Sequence, residues 1–254
     1  MQLKNELDLL FWSSELLFTL AQLRQFPKVY WIWNHRIWVL ENHLDSSVNI
    51  WKEELVMVSK LLKIDARNFH GWLYRRIIVR KIEQLTGEKK LFEELAYTTE
   101  NINNNISNFS AWHQRTVLLS KIFGENENES NAKMIHDEFA YITNAMFTDA
   151  EDQSVWFYIK WFIKNKVVRE TLEPSEYARL LQELHSNVVM INQDDLEFSG
   201  KENNWCLKIL IVLDDVLKNI GIETCIEKKK CLEQLINADP LRKNRYLCLL
   251  NDGQ

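Results

Sequence analysis

Turn-forming residues are scarce in this chain: its 254 residues include six Gly and three Pro. A β-rich fold needs many tight turns, so this scarcity argues against one and suits an all-helical chain. Cysteine is sparse too. Cys206, Cys225, Cys231 and Cys248 show no CxxC spacing and read as buried free thiols, not a metal site. The longest apolar run, WCLKILIVL, is nine residues, whereas a bilayer span needs about twenty. No signal peptide opens the chain, because MQLKNELDLL carries acids where an apolar core should begin. The net charge is −5 and the pI about 5.8, which disfavours a generally basic nucleic-acid binder. P-loop, HExxH, G-x-S-x-G and Gly-rich dinucleotide motifs are all missing. His35, His43, His113, His136 and His185 lack companions at metal-ligand spacing, and the pairs Asp194–Asp195 and Asp214–Asp215 read as solvated faces. The Asn-x-Ser sequons at Asn105, Asn108 and Asn128 carry no meaning in a chain that is not secreted. The chain reads as soluble and cytoplasmic.

What is present is repetition. PKVYWIWNHR, ARNFHGWLYRR and ISNFSAWHQR share a Trp followed three residues later by an Arg: Trp33 and Arg36, Trp72 and Arg75, Trp112 and Arg115. The anchors Trp33, Trp72, Trp112, Trp156 and Trp205 are spaced by 39, 40, 44 and 49 residues, and Tyr246 follows after 41 more. Such a period suits one helical hairpin per repeat. The expected fold is all-α: a right-handed solenoid or crescent of stacked antiparallel helical hairpins, with residues 1–254 as one domain of about six helix pairs. The pairs are predicted at 6–25/29–43, 49–64/69–84, 89–104/109–122, 132–146/153–166, 174–191/203–219 and 224–238/242–250. FGENENESN (residues 123–131) reads as a solvated loop. In WKEELVMVSKLLKI, Leu55, Val58, Leu61 and Leu62 fall on one helical stripe. Asn68 is placed to cap the helix that follows it. A repeated Trp is expected to wedge between helices, since it buries about 150–250 Å². The repeated Arg is expected to pair with carboxylates or helix-end carbonyls of the adjacent repeat.

Architecture requires only that repeats be alike, so their differences point to function. Five residues before the anchors stand Lys28, Arg67, Ser107 and Glu151; two residues before them stand Trp31, His70, Ser110 and Ser154. Positive charge at the start of the second helix is therefore confined to the first two repeats. Equivalent positions of adjacent repeats lie side by side, so Lys28, Tyr30, Asn68 and His70 are expected to face one groove. Cations and hydroxyls beside helix N-termini suit a phosphate or diphosphate, although a solvated basic turn would look the same.

These repeats resemble those of protein prenyltransferase alpha subunits. The later stretches NAMFTDAEDQSVWFY (residues 144–158), ENNWCLKIL (202–210) and DPLRKNRY (239–246) resemble the Rab-modifying, type-II geranylgeranyltransferase branch, in its short yeast-type form. The resemblance covers the chain from about residue 10. It implies a heterodimer in which this subunit wraps a beta subunit that holds the zinc, with no metal or cofactor bound by this chain. It also implies transfer of geranylgeranyl from geranylgeranyl diphosphate, at the subunit interface, to C-terminal cysteines of Rab GTPases presented by a Rab escort protein. Carried over by residue, Lys28 and His70 are catalytic, and Lys28, Tyr30, Asn68 and His70 bind the diphosphate. The family has a further repeat and a leading segment with a histidine near its start; nothing in MQLKNELDLLFWSS matches it. Two other readings stand beside this one. The first is the alpha subunit of farnesyl and type-I geranylgeranyltransferases, acting on Cys-a-a-X tails. The second is a non-enzymatic helical-repeat adaptor, whose tetratricopeptide form has a shorter period of about 34 residues.

Overall fold

Helices account for nearly all regular structure, as the scarcity of Gly and Pro requires. A computed structural model describes residues 8–251 except 46, 126, 127 and 225, so most of the leading segment and Cys225 lie outside the described residues. Among the described residues there are thirteen α-helices and no strand. The chain divides into two compact units. The first holds residues up to 101 together with 108–114; the second holds 102–107 and everything from 115 on.

In the first unit, α1 (Leu9–Gln25) pairs with α2 (Tyr30–Asn42), and α3 (Val48–Ile64) pairs with α4 (Phe69–Thr86). Two helices belong partly to each unit, α5 (Leu91–Asn104) and α6 (Phe109–Glu125). The second unit contains α7 (Asn128–Thr148), α8 (Gln153–Lys164), α9 (Lys166–Thr171), α10 (Pro174–Ser199) and α11 (Asn204–Asn219). It ends with α12 (Lys228–Ala238), a 3₁₀ turn at Pro240–Arg242 and α13 (Lys243–Asn251).

Trp33, Trp72, Trp112 and Trp156 are buried, as wedges should be. The indole N–H of Trp33, Trp72 and Trp156 donates to the carbonyl six residues earlier, on Pro27, Ala66 and Ala150, at 2.8–2.9 Å. Each wedge thus also ties down the turn that leads into its helix. Trp205 differs: it is half-buried, edge-on to Phe157 with Lys208 over its face.

The repeated arginines pair across repeats. Arg36 Nε donates to Glu54 at 2.9 Å, Arg75 Nε to Glu94 at 2.8 Å and Arg115 Nε to Glu138 at 2.8 Å. All six side chains are buried, and the second nitrogen of each fork engages the other carboxylate oxygen. Such bidentate geometry offsets the cost of burying both charges. Tyr74 and Tyr158 donate to the same carboxylates, at 2.6 Å to Glu54 and 2.5 Å to Glu138. Burial first, then the adjacent carboxylate, pushes both phenols well above their ordinary range. Lys208 of α11 rebuilds this triad with Asp239 and Tyr246 of the last hairpin, Tyr246 Oη lying 2.6 Å from Asp239.

Several expectations are corrected. The stretch 123–131 is helical where it is described, with residues 126 and 127 outside the described residues: α6 runs to Glu125, α7 begins at Asn128, and buried Asn131 donates to Phe123 O at 3.1 Å. The helix expected over 153–166 forms as α8 but ends two residues early, at Lys164. Asn165 is extended and its side chain accepts from Val167 N, which ends α8 and caps α9. The helix expected to end at 191 continues to Ser199, where Gly200 takes the left-handed conformation (φ +71°) that terminates it. Asp214 is buried, not solvated, with Lys218 and Thr224 as partners. Cys206 and Cys231 are buried free thiols as expected, but Cys248 is exposed.

Candidate functional site

Two turns of the first unit carry the residues singled out by sequence. One, Phe26–Val29, links α1 to α2; the other, Asp65–Asn68, links α3 to α4. Asn68 holds them together. Its side-chain oxygen accepts from Gly71 N at 3.1 Å, capping α4, while its amide donates to Pro27 O at 2.9 Å. Pro27 O also accepts from Trp33, so the residue next to Lys28 is anchored from both repeats.

Lys28 projects from the first turn with 73% of its side chain exposed, and its ammonium lies 3.7 Å from Asp65 Oδ2. Tyr30 begins α2 and His70 is the second residue of α4. Their rings stack, with centroids 6.2 Å apart and planes 24° from parallel. Trp31 and Phe69 extend the row, at 4.3 Å from Tyr30 and 4.0 Å from His70. Lys28 stands two residues before Tyr30, and Tyr30 and His70 share one surface beside two helix N-termini. Asn68 does not: it is 4% exposed and its side chain is engaged with backbone, so its contribution is to hold the two turns in register. A cavity of about 100 Å³ is lined in part by Pro27, Trp33, Leu62, Asp65, Asn68 and Gly71, and by none of Lys28, Tyr30 and His70.

Sequence comparison between repeats missed Asp65. At the equivalent position, seven residues before the anchor Trp, stand Asn105 and Asp149. Both spend their side chains on the backbone N–H two residues on, at Ser107 and Glu151, each at 3.1 Å. Asp65 faces Lys28 instead. Equally invisible was the ring row, because Trp31 and Phe69 look like core residues until their exposure, 66% and 67%, is known.

The surface offers an ammonium, a phenol hydroxyl, an imidazole and the free N–H groups of two helix starts. That set can bind and stabilise a multiply charged oxyanion. Among the described residues no group of three or more His, Cys, Asp and Glu is arranged to hold a metal ion, and no helix is long and apolar enough to cross a membrane.

The protein prenyltransferase alpha subunit repeat matches residues 12–43, 51–82, 91–122 and 135–166. The chain belongs to the protein prenyltransferase alpha subunit family, which implies a partner beta subunit. It is 55% identical over 248 residues to the geranylgeranyl transferase type-2 subunit alpha of Saccharomyces cerevisiae, covering 98% of this chain and 76% of that one. The Candida albicans protein of the same name is 34% identical over 266 residues, covering 92% and 72%. Among solved structures, a Candida albicans protein geranylgeranyltransferase-I complexed with GGPP matches in fold, with a TM-score of 0.66 and 20% identity over 94% of this chain and 72% of that chain.

Proposed function

We propose that this chain is the alpha subunit of a cytosolic type-2 geranylgeranyl transferase. In this reading it acts with a beta subunit on C-terminal cysteines of Rab GTPases brought by an escort protein. The observation that carries the enzyme type is the 55% identity to a type-2 subunit across nearly the whole chain.

In the reaction, the acceptor sulfur forms a bond to C1 of the geranylgeranyl group as the C1–O bond breaks. Diphosphate leaves with the electron pair, so negative charge grows on its bridging oxygen. Lys28, Tyr30 and His70 supply donors where that charge develops. An ammonium already fixed beside a leaving group stabilises the transition state more than the ground state, which is what raises kcat. Asn68 contributes by holding the Lys28 turn against the start of α4. The resemblance assigns the zinc that activates the acceptor thiol to the beta subunit, so no residue of this chain is given that task.

The test is co-expression with the matching beta subunit and an assay of geranylgeranyl transfer to a Rab–escort complex. Lys28→Ala is expected to lower kcat by about 10²–10³-fold, the usual loss when one such donor is removed. A Lys28→Ala enzyme at full rate removes Lys28 from the mechanism. Transfer onto a short Cys-a-a-X peptide without an escort protein would instead favour the type-I reading.

A further inference from the structure

The Lys28 side chain is 73% exposed on a flexible four-carbon stem, and no described residue of its own helix pair makes an ion pair with its ammonium. Its one ion-pair partner among the described residues is Asp65, in the next repeat. Asp65 closes α3 through its backbone alone: its N–H donates to Leu61 O and its C=O accepts from Asn68 N. Its side chain is 28% exposed and makes no hydrogen bond among the described residues. The equivalent residues Asn105 and Asp149 both make the local side-chain-to-backbone bond that Asp65 forgoes.

We propose that Asp65 is a positioning residue for the prenyl-transfer step, holding the Lys28 ammonium beside the Tyr30–His70 pair before the diphosphate arrives. This rests on the reading of Lys28 as the diphosphate-binding cation. The geometry suits such a role. At 3.7 Å the ion pair is longer than a hydrogen bond, so Asp65 restrains the ammonium by charge without occupying its N–H donors. Those donors stay available to phosphate oxygens, which carry more charge than one carboxylate and win the closer contact. The Asn68–Pro27 bond sets the distance between the two turns and hence between the two charges. An exposed pair of this kind adds little to folding stability, so Asp65 can be changed without unfolding the subunit.

The experiment is a double-mutant cycle in the assembled enzyme with its beta subunit. Asp65→Asn keeps the backbone cap and should leave the melting temperature unchanged. It is expected to lower kcat about tenfold, since a reacting group displaced by about 1 Å costs up to 10²-fold. KM for geranylgeranyl diphosphate should change less than twofold, and Asp65→Glu should recover part of kcat. In a Lys28→Ala background, Asp65→Asn should cost nothing further. An Asp65→Asn enzyme with unchanged kcat overturns the proposal. So does an equal loss in both backgrounds, which would mark Asp65 as structural while a slowed Lys28→Ala enzyme leaves the diphosphate reading standing. A Lys28→Ala enzyme at full rate overturns that reading, and this one with it.

Discussion

At the residue scale the buried Arg–Glu pairs are costly to break. Arg75 and Glu94 are each about 95% out of water, and Arg75 also donates to Ser59 at 2.7 Å and lies 3.4 Å from the centre of the Tyr97 ring. Removing one partner leaves the other charge buried without compensation. Arg75→Leu is therefore expected to destabilise the chain by about 3–5 kcal/mol in urea unfolding. The double change Arg75→Met with Glu94→Leu should recover most of that loss, because a well-packed apolar pair carries no desolvation cost. That Trp and Arg recur three residues apart was legible in sequence; which carboxylate each Arg would find was not. Glu54, Glu94 and Glu138 look like ordinary surface acids on amphipathic helices until the arginine of the preceding hairpin meets them.

At the scale of elements, turns and caps decide how hairpins meet. Asn68→Asp keeps the oxygen that caps α4 but loses the donor to Pro27 O, whereas Asn68→Ala loses both. The expected order of thermal stability is native, then Asp, then Ala, with the Ala variant about 1–2 kcal/mol down, the usual value of a cap. Both variants should also slow prenyl transfer, since the Lys28 turn is no longer tied to α4.

Asp239 does similar work for α11, the 3₁₀ turn and α13. Burial alone would raise its carboxyl, but hydrogen bonds from Tyr246, Lys208 and Arg242 hold it down at about 2, from an ordinary 3.8. As pH falls the unfolded chain takes up that proton first. The stabilisation is therefore complete above about pH 4 and disappears between about pH 4 and pH 2. Asp239→Asn should lower stability at neutral pH and flatten that part of the acid limb, as followed by circular dichroism. The start of α4 was legible because Asn68 is a local capping signal, and it does cap. The end of α8 was not, because IKNKVV gives helix formers on both sides of Asn165, and only its bond to Val167 N reveals the break.

At the scale of the whole molecule the chain presents apolar surface that its composition does not announce. Tyr30, Trp31, Phe69 and Phe109 are all at least 43% exposed at helix starts of the first unit. Large exposed apolar surface is a common mark of a protein interaction site, and the family implies a beta subunit. A partner that binds only the folded state stabilises it in proportion to its concentration. The melting temperature of this subunit should accordingly rise with added beta subunit, while Trp31→Glu weakens that rise without lowering the melting temperature of the subunit alone. An unchanged rise would place the contact elsewhere.

The sequence by itself determined the helical class, the period of the hairpins, the wedge and tie positions and the neighbourhood of Lys28, Tyr30 and His70. These are local or periodic properties, written wherever a helix must show one face to its neighbour. Only the tertiary structure decided that Asn68 is spent inside the scaffold, that Asp214 is buried, and that Asp65 turns away from its own turn to face Lys28. Each of those depends on what another repeat, or a distant part of the same hairpin, brings within a few ångströms. Burial and ion pairing follow from that distance in space, which no spacing along the chain encodes.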